Sequence, residues 1–341
     1  MVHSTPSAGL GRHLFCIAPM MDHTDRHCRY LFRLMSKRAF LYTEMVTAIA
    51  LARGRAPERY LNFHDSEHPV ALQLGGSDPK ELSHAAKLAH RWGYDEVNFN
   101  VGCPSSRVTS GRFGACLMAE PQLVAECVKA MCDASPLPVT LKTRIGIDEY
   151  DNPEILDELV DNAAMAGCKT YIIHARKAWL KGLSPKENRE IPPLDYSRVW
   201  ALKQRYPYLE IVLNGGLSSA REAHGILQDN SKPQLDGVML GRAVYHSSET
   251  LLAVDELFYE DKKEKLNRPE IVDSYVDYGR VEMQNGTEAH HIFRHLTGLF
   301  RGQMGARHWR QGISRVGQGD ECPSALVKLA EELERDISLA A

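Results

Sequence analysis

Residues 96–108 read EVNFNVGCPSSRV: an apolar run closes on Asn98-Phe99-Asn100, and Cys103 follows on a loop broken by Gly102 and Pro104. A structural cysteine belongs inside an apolar run, as Cys16 does, whereas Cys103 stands where strand-end chemistry is done. A thiol there has three uses, as nucleophile, general acid or inert side chain. No Cys/His dyad spacing and no metal-type cluster accompanies it, so the sequence supports neither a hydrolase nor a zinc site.

Other residues narrow the chemistry. Lys142, in TLKTRIG, lies late in an apolar strand, where an ammonium group is costly unless paired. A flavin provides such a partner, because electron density gathers at the N1/C2 carbonyl end of its reduced ring. A structural ion pair with a carboxylate is the alternative. Gln73, in ALQLGG, has the groups to bond the pyrimidine edge of the same ring, although one glutamine carries little information alone. His174 and Arg176, in IIHARKA, read either as ligand contacts or, for the histidine, as a satisfied core residue. LNGGLSSAREA and GVMLGRA place Asn214, Gly215, Gly216, Gly241 and Arg242 at two late strand ends, each before a helix. Paired late in a barrel, such turns make a phosphate cradle, with Arg242 adding a charge-assisted contact; singly they are only tight turns. Opposite a flavin face, the Cys103 thiol is suited to deliver one proton while the ring delivers hydride.

These residues need a frame that gathers strand ends. Near-continuously apolar runs recur at Leu14–Ile17, Phe40–Met45, Val70–Leu74, Glu96–Asn100, Val139–Thr143, Thr170–His174, Ile211–Asn214 and Gly237–Leu240, as parallel strands covered on both faces require. Amphipathic segments alternate with them, among them Pro79–Trp92, Pro121–Cys132, Glu154–Ala166 and Ser218–Leu227. Eight such units predict a (β/α)8 TIM barrel, with a doubly wound sheet as the lesser alternative. A barrel collects Pro19-Met20-Met21, Glu44, Gln73, Asn98/Asn100, Lys142/Arg144, His174/Arg176, Asn214–Gly216 and Gly241-Arg242 at one face. The β pattern stops near residue 250, so a barrel domain over 1–250 and a smaller α-helical domain over 251–341 are expected.

The chain has 341 residues, 43% hydrophobic and 25% charged, which is ordinary for a soluble globular protein. No apolar stretch reaches the roughly 18 residues of a membrane span, and the first residues lack the apolar core of a secretory leader. Eight scattered cysteines without a CxxC pair fit reduced thiols in the cytoplasm, and the cysteines other than Cys103 read as structural. A net charge of −3 announces no nucleic-acid binder, so any such role rests on a local patch. One exists: His290–Gln318 holds five arginines, four histidines and no Asp or Glu, with Phe300 and Trp309 interleaved. That pattern fits phosphate-backbone contact and equally fits a solvated helix face. Lys177, Lys181 and Lys186 add charge to the loop between Arg176 and Arg189.

Together APMMDHTDRHCR, TEMV, ALQLGG, NFNVGCPS, LKTRIG, IIHARKA, LNGG and MLGRA resemble the tRNA-dihydrouridine synthases, in particular their A-type bacterial subgroup. The likeness runs through nearly the whole chain, with the motifs in order at successive strand ends. It implies an FMN-bound barrel with a helical tRNA-binding domain that uses NADPH to reduce uridine to 5,6-dihydrouridine at D-loop positions 20 and 20a. It further implies hydride delivery to uracil C6, protonation of C5 by Cys103 as the catalytic residue, and Asn100 on the substrate base. Pro19, Met20, Met21, Gln73, Lys142, His174, Asn214, Gly215, Gly216, Gly241 and Arg242 match the flavin contacts. Arg176, Lys186, Arg189, Arg301, Arg307 and Arg310 fall where tRNA is contacted. No metal, no membrane and a monomer are expected. The opening motif departs from many relatives in its second hydrophobic residue, Met20-Met21, a swap that a packing contact tolerates. A flavin barrel acting on free pyrimidines, a non-catalytic RNA binder and a sugar-phosphate isomerase or aldolase stay open beside this reading.

Overall fold

Among the described residues nine parallel strands succeed one another: β1 Phe15–Ile17, β2 Phe40–Tyr42, β3 Val46–Thr47, β4 Val70–Gly75, β5 Glu96–Val101, β6 Val139–Arg144, β7 Thr170–His174, β8 Glu210–Asn214 and β9 Gly237–Leu240. This is a computed structural model that describes residues 12–54, 56–149, 153–262 and 265–340. β2 pairs with both β1 and β4, and β1 pairs with β9, so eight strands close into a parallel barrel. The expected TIM barrel is the fold. The run expected as one strand over Phe40–Met45 is instead split. Thr43 is the cause, because its side-chain oxygen accepts the backbone N–H of Gln73 at 3.0 Å. The path resumes as β3, with Val46 opposite Leu74.

The strands read as continuously apolar because alternate residues serve two cores. Val97, Phe99, Val101, Leu141, Tyr171, Ile173, Ile211 and Leu213 pack outward with the helices. Cys16, Phe40, Tyr42, Ala71, Ile172, Val212 and Met239 form a separate cluster inside the barrel. In β5 the period of two puts Glu96, Asn98 and Asn100 on the interior face with Val97, Phe99 and Val101 on the other. Local signals set the helix ends. Asp78 caps helix Pro79–Trp92 through Lys80 N at 2.8 Å, Pro79 opens it, and Gly93 closes it in the left-handed region. Expected helix ends otherwise shift by one or two residues, to Pro121–Ala134, Pro153–Met165 and Ala220–Leu227, the last capped by Ser219.

Helices Val254–Tyr259, Arg268–Gln284, Ala289–Phe293, Ala306–Gln318 and Ser324–Ala340 follow the barrel. Of these, Arg268–Gln284 and Ala289–Phe293 seat on the first barrel helix, Arg26–Met35. Tyr30 stacks on Tyr278 at 3.9 Å, and His27 Nδ1 lies 2.7 Å from the Tyr278 hydroxyl. Asp25 ties the two regions. It caps Arg26–Met35 by accepting Cys28 N–H at 2.9 Å, while Arg294 Nη2 and His295 Nε2 reach its oxygens at 2.8 and 3.0 Å. Burial alone would raise the Asp25 carboxyl, but His295 and the Cys28 N–H hold it well below the usual carboxylate range. Asp25→Ala is therefore expected to lower stability at pH 7 by about 2–4 kcal/mol, combining a lost N-cap with the loss of the partner that Arg294 and His295 share. Thermal denaturation checks this. Because the folded-state pKa is depressed, the wild-type advantage is full above about pH 4 and shrinks as pH falls below it. Among the described residues no helix is long and apolar enough to cross a membrane.

Candidate active site

The C-terminal ends of β4–β8 bring together Gln73, Asn98, Asn100, Lys142, Arg144, His174 and Asn214. The strand register sets the neighbours: Gln73 faces Asn98, Asn100 faces Lys142, Arg144 faces His174, and His174 faces Asn214. Cys103 is half-buried on the loop after β5. Its backbone N–H donates to Asn100 Oδ1 at 3.0 Å, and its carbonyl accepts Ala115 N–H at 2.9 Å. Gly114 makes that second contact possible: its φ is +74°, and a side-chain carbon there would come 2.6 Å from the Cys103 carbonyl oxygen. The loop is built, not draped.

Lys142 has no carboxylate partner among the described residues; its Nζ donates to Asn214 Oδ1 at 3.0 Å. The ion-pair alternative is thus not what the structure holds. Burial, with the Arg144 cation adding to it, brings the Lys142 pKa down to about 7. Arg144 is buried and, among the described residues, binds backbone oxygens, donating to Gly102, Lys177 and Asn188 at 3.0 Å each. Burial lowers it to about 10. His174 is pushed far below its ordinary value by burial and then by Arg144, Lys142, Arg176 and Arg189, so it is neutral. Its Nδ1 and the Nε of Arg176 are buried without a hydrogen-bond partner among the described residues. Among the described residues no carboxylate pairs with Lys142 or Arg144, and two polar atoms beside them are orphaned, so this part of the mouth suits an anionic ligand rich in acceptors.

Glycine turns complete the rim. Gly215 and Gly216 both have positive φ, and a side chain on Gly216 would strike Leu194 at 2.4 Å. The β1 and β9 loops meet, since a side chain on Gly241 would lie 3.5 Å from Met20 Sδ. Pro19 and Met20 are half-buried there, and Met21 is exposed. Arg242 is occupied by Glu190 at 2.6 Å, across from the loop that follows β7. Lys186 and Arg189 are exposed on that loop, and Arg176 Nη1 donates to the Pro192 carbonyl.

The acid-free stretch divides. Arg301, Arg307 and Arg310 are exposed and in no described ion pair, whereas Arg294 and Arg315 are held by Asp25 and Glu321. Phe300 and Trp309 correct the sequence expectation of surface aromatics. Both are buried, 4.8 Å apart, and Trp309 Nε1 donates to the Leu296 carbonyl at 2.8 Å. Cys322 is likewise exposed, not structural. Among the described residues one group of possible metal ligands converges, Glu288, His290 and His291, all exposed on the helical region. Arg144, Asn98 and Gly114 receive no role from sequence. Asn98 has a signal, sharing the strand face of Asn100 two residues on. The carbonyls that Arg144 binds come from two separate loops, and nothing local announces them.

Barrel, cationic mouth and loop thiol define a TIM-barrel enzyme. The description of the dihydrouridine synthase family matches residues 16–337. A curated tRNA-dihydrouridine(20/20a) synthase of Shewanella oneidensis is 54% identical over 316 residues, covering 93% of this chain and 92% of that protein. Those of Vibrio parahaemolyticus and Salmonella typhi are 51% and 49% identical, covering 93% and 98% of this chain and 97% and 99% of theirs. Among solved structures, morphinone reductase aligns at 14% identity with a TM-score of 0.49, over 75% of this chain and 89% of that one. The chain belongs to the dihydrouridine synthase family.

Proposed function

We propose that this protein reduces uridine in tRNA to 5,6-dihydrouridine, with FMN as resident cofactor and NADPH as reductant. The observation that carries the reading is the thiol of Cys103 held beside an acceptor-seeking mouth. The residues present fit a flavin mononucleotide. Lys142 and the orphaned His174 Nδ1 offer contacts for the ring, as does Gln73. The Asn214–Gly216 turn and Gly241-Arg242 suit the phosphate, provided Arg242 exchanges Glu190 for it; Pro19, Met20 and Met21 would pack alongside. When bound, such a cofactor supplies hydride to C6 of the pyrimidine. Cys103 then gives its proton to C5, and Asn100 holds the base, which must leave its stack to arrive. Arg176, Lys186 and Arg189 at the mouth, and Arg301, Arg307 and Arg310 beyond it, would neutralise tRNA phosphates near the D-loop.

The names of the relatives support positions 20 and 20a as targets. A barrel over 1–250, a tRNA-binding helical domain over 251–341, a monomer and a cytoplasmic location complete the proposal. The test is direct. Purified protein is expected to be yellow, to release FMN on denaturation and to oxidise NADPH. A deletion strain should lose dihydrouridine at tRNA positions 20 and 20a and regain it on complementation. A colourless protein, or tRNA with unchanged dihydrouridine, would sink the reading.

A further inference from the structure

Beneath the mouth the barrel interior carries a continuous string of polar side chains. At its base His13 lies between two carboxylates, with Nε2 2.7 Å from Glu96 Oε2 and Nδ1 2.9 Å from Glu210 Oε1. Burial opposes a charge on His13, but Glu96 and Glu210 outweigh it and hold the imidazole up at about 10, so it is a cation at neutral pH. The other oxygen of Glu96 accepts from the Tyr42 hydroxyl at 3.0 Å and from the Thr140 hydroxyl at 2.6 Å. From there the links climb. Asn98 Nδ2 donates to Thr140 Oγ1 at 2.8 Å, Gln73 Nε2 to Asn98 Oδ1 at 2.7 Å, and Asn100 Nδ2 to Gln73 Oε1 at 2.9 Å. Gly102 and Cys103 then donate their backbone N–H groups to Asn100 Oδ1 at 3.1 and 3.0 Å. Glu96, Asn98, Gln73 and Thr140 are essentially inaccessible, and Asn100 is 9% exposed.

A side-chain amide can be turned end for end, so its sense is fixed only by neighbours that cannot turn. This string has such neighbours at both ends. Backbone N–H groups can only donate, and the carboxylate takes hydroxyl protons at the other end. Each link between them has one compatible sense, and the three amides cannot reverse singly without leaving a buried donor facing a donor.

We infer that Thr140 and Asn98, with Glu96 behind them, are positioning residues for the reaction at the mouth. They brace the Gln73 and Asn100 amides from below, where the Gly102 and Cys103 N–H groups set the sense from above, and thereby hold the seat of the Cys103 loop. One consequence concerns substrate. Both lone pairs of the Asn100 carbonyl are taken by Gly102 and Cys103, and one of its N–H groups by Gln73, so what it offers the mouth is a single N–H. The substrate atom it meets must be an acceptor, such as a ring carbonyl oxygen. This inference rests on the proposed reduction of a pyrimidine in tRNA.

Thr140→Val keeps the shape of the side chain but removes the hydroxyl that joins Asn98 to Glu96. The expected enzyme is folded and, with Lys142, His174 and the glycine turns untouched, still fills with flavin at saturating FMN and oxidises NADPH. Its single-turnover formation of dihydrouridine should be about ten- to a hundredfold slower, with the tRNA concentration dependence unchanged, as misplacement of reacting groups produces. Thr140→Ser, which restores the hydroxyl without the methyl, should recover to within about twofold of wild type. Wild-type rates in Thr140→Val, or equal impairment in Thr140→Ser, overturn the relay while wild-type product formation leaves the proposed function standing. A wild-type enzyme that makes no dihydrouridine overturns both. Should Thr140→Val give no soluble protein, Thr140→Cys, close in volume and a poor hydrogen-bonding group, carries the same comparison.

Discussion

Cys103→Ala is expected to retain flavin and oxidise NADPH at the wild-type rate while forming dihydrouridine about 10²- to 10⁴-fold more slowly, the usual range for a lost general acid. The separation follows from how the loop is held. Its contacts to Asn100 Oδ1 and Ala115 N–H are made by the Cys103 backbone, and alanine keeps them. What disappears is the sulfur, whose described hydrogen-bond partner is Ser105 Oγ at 3.6 Å, a weak thiol contact. Folding and cofactor binding therefore should not depend on the thiol, whereas proton delivery in the proposed reaction should. Cys103→Ser, with a much weaker acid on the same backbone, should be impaired nearly as severely. Single-turnover reaction of pre-reduced enzyme with unmodified tRNA, scored by dihydrouridine content, decides it. Normal product formation by Cys103→Ala would take the thiol out of the reaction.

That cysteine is legible because its context is local: a strand, a Gly/Pro break and a thiol in eight residues. The barrel is legible for a similar reason, since each parallel strand carries its own apolar run. Where the letters mislead, the deciding contact is distant. Nothing in FLYTEMVT reveals that Thr43 receives the N–H of Gln73 and breaks the strand. The partner of Lys142 is an amide 72 residues away, a choice that composition is blind to. Phe300 and Trp309 are misplaced by composition in another way. Freedom from acids reads as a surface signature, yet Trp309, Ile313 and Val316 recur at helical spacing and mark a buried stripe. Periodicity should outrank charge count there. Within β5 the alternation of Glu96, Asn98 and Asn100 is visible in the letters, but a polar face inside a closed barrel acquires meaning only once the neighbouring strands supply Gln73 and Thr140.

Lys142→Met should weaken FMN binding about ten- to a hundredfold, the equivalent of a hydrogen bond to a charged group, and should leave the flavin-free protein as stable as wild type or more so. The two halves belong together. In the flavin-free protein the ammonium is held at a pKa of about 7 by burial and by Arg144. A lysine whose folded-state pKa is depressed opposes folding, fully below about pH 7 and progressively less up to its ordinary 10.4, because the unfolded chain holds the proton more tightly. Methionine fills similar space without that penalty. Binding reverses the sign. An electron-rich ring edge favours the protonated amine, so association takes up a proton above pH 7, and wild-type FMN affinity should fall by up to tenfold per pH unit from there. The Met variant should lack that slope. Fluorescence titration of the flavin-free proteins between pH 6 and 9 measures both quantities without reference to turnover. Equal affinities and parallel pH profiles would show that Lys142 does not face the cofactor; a large drop in melting temperature would make its role structural.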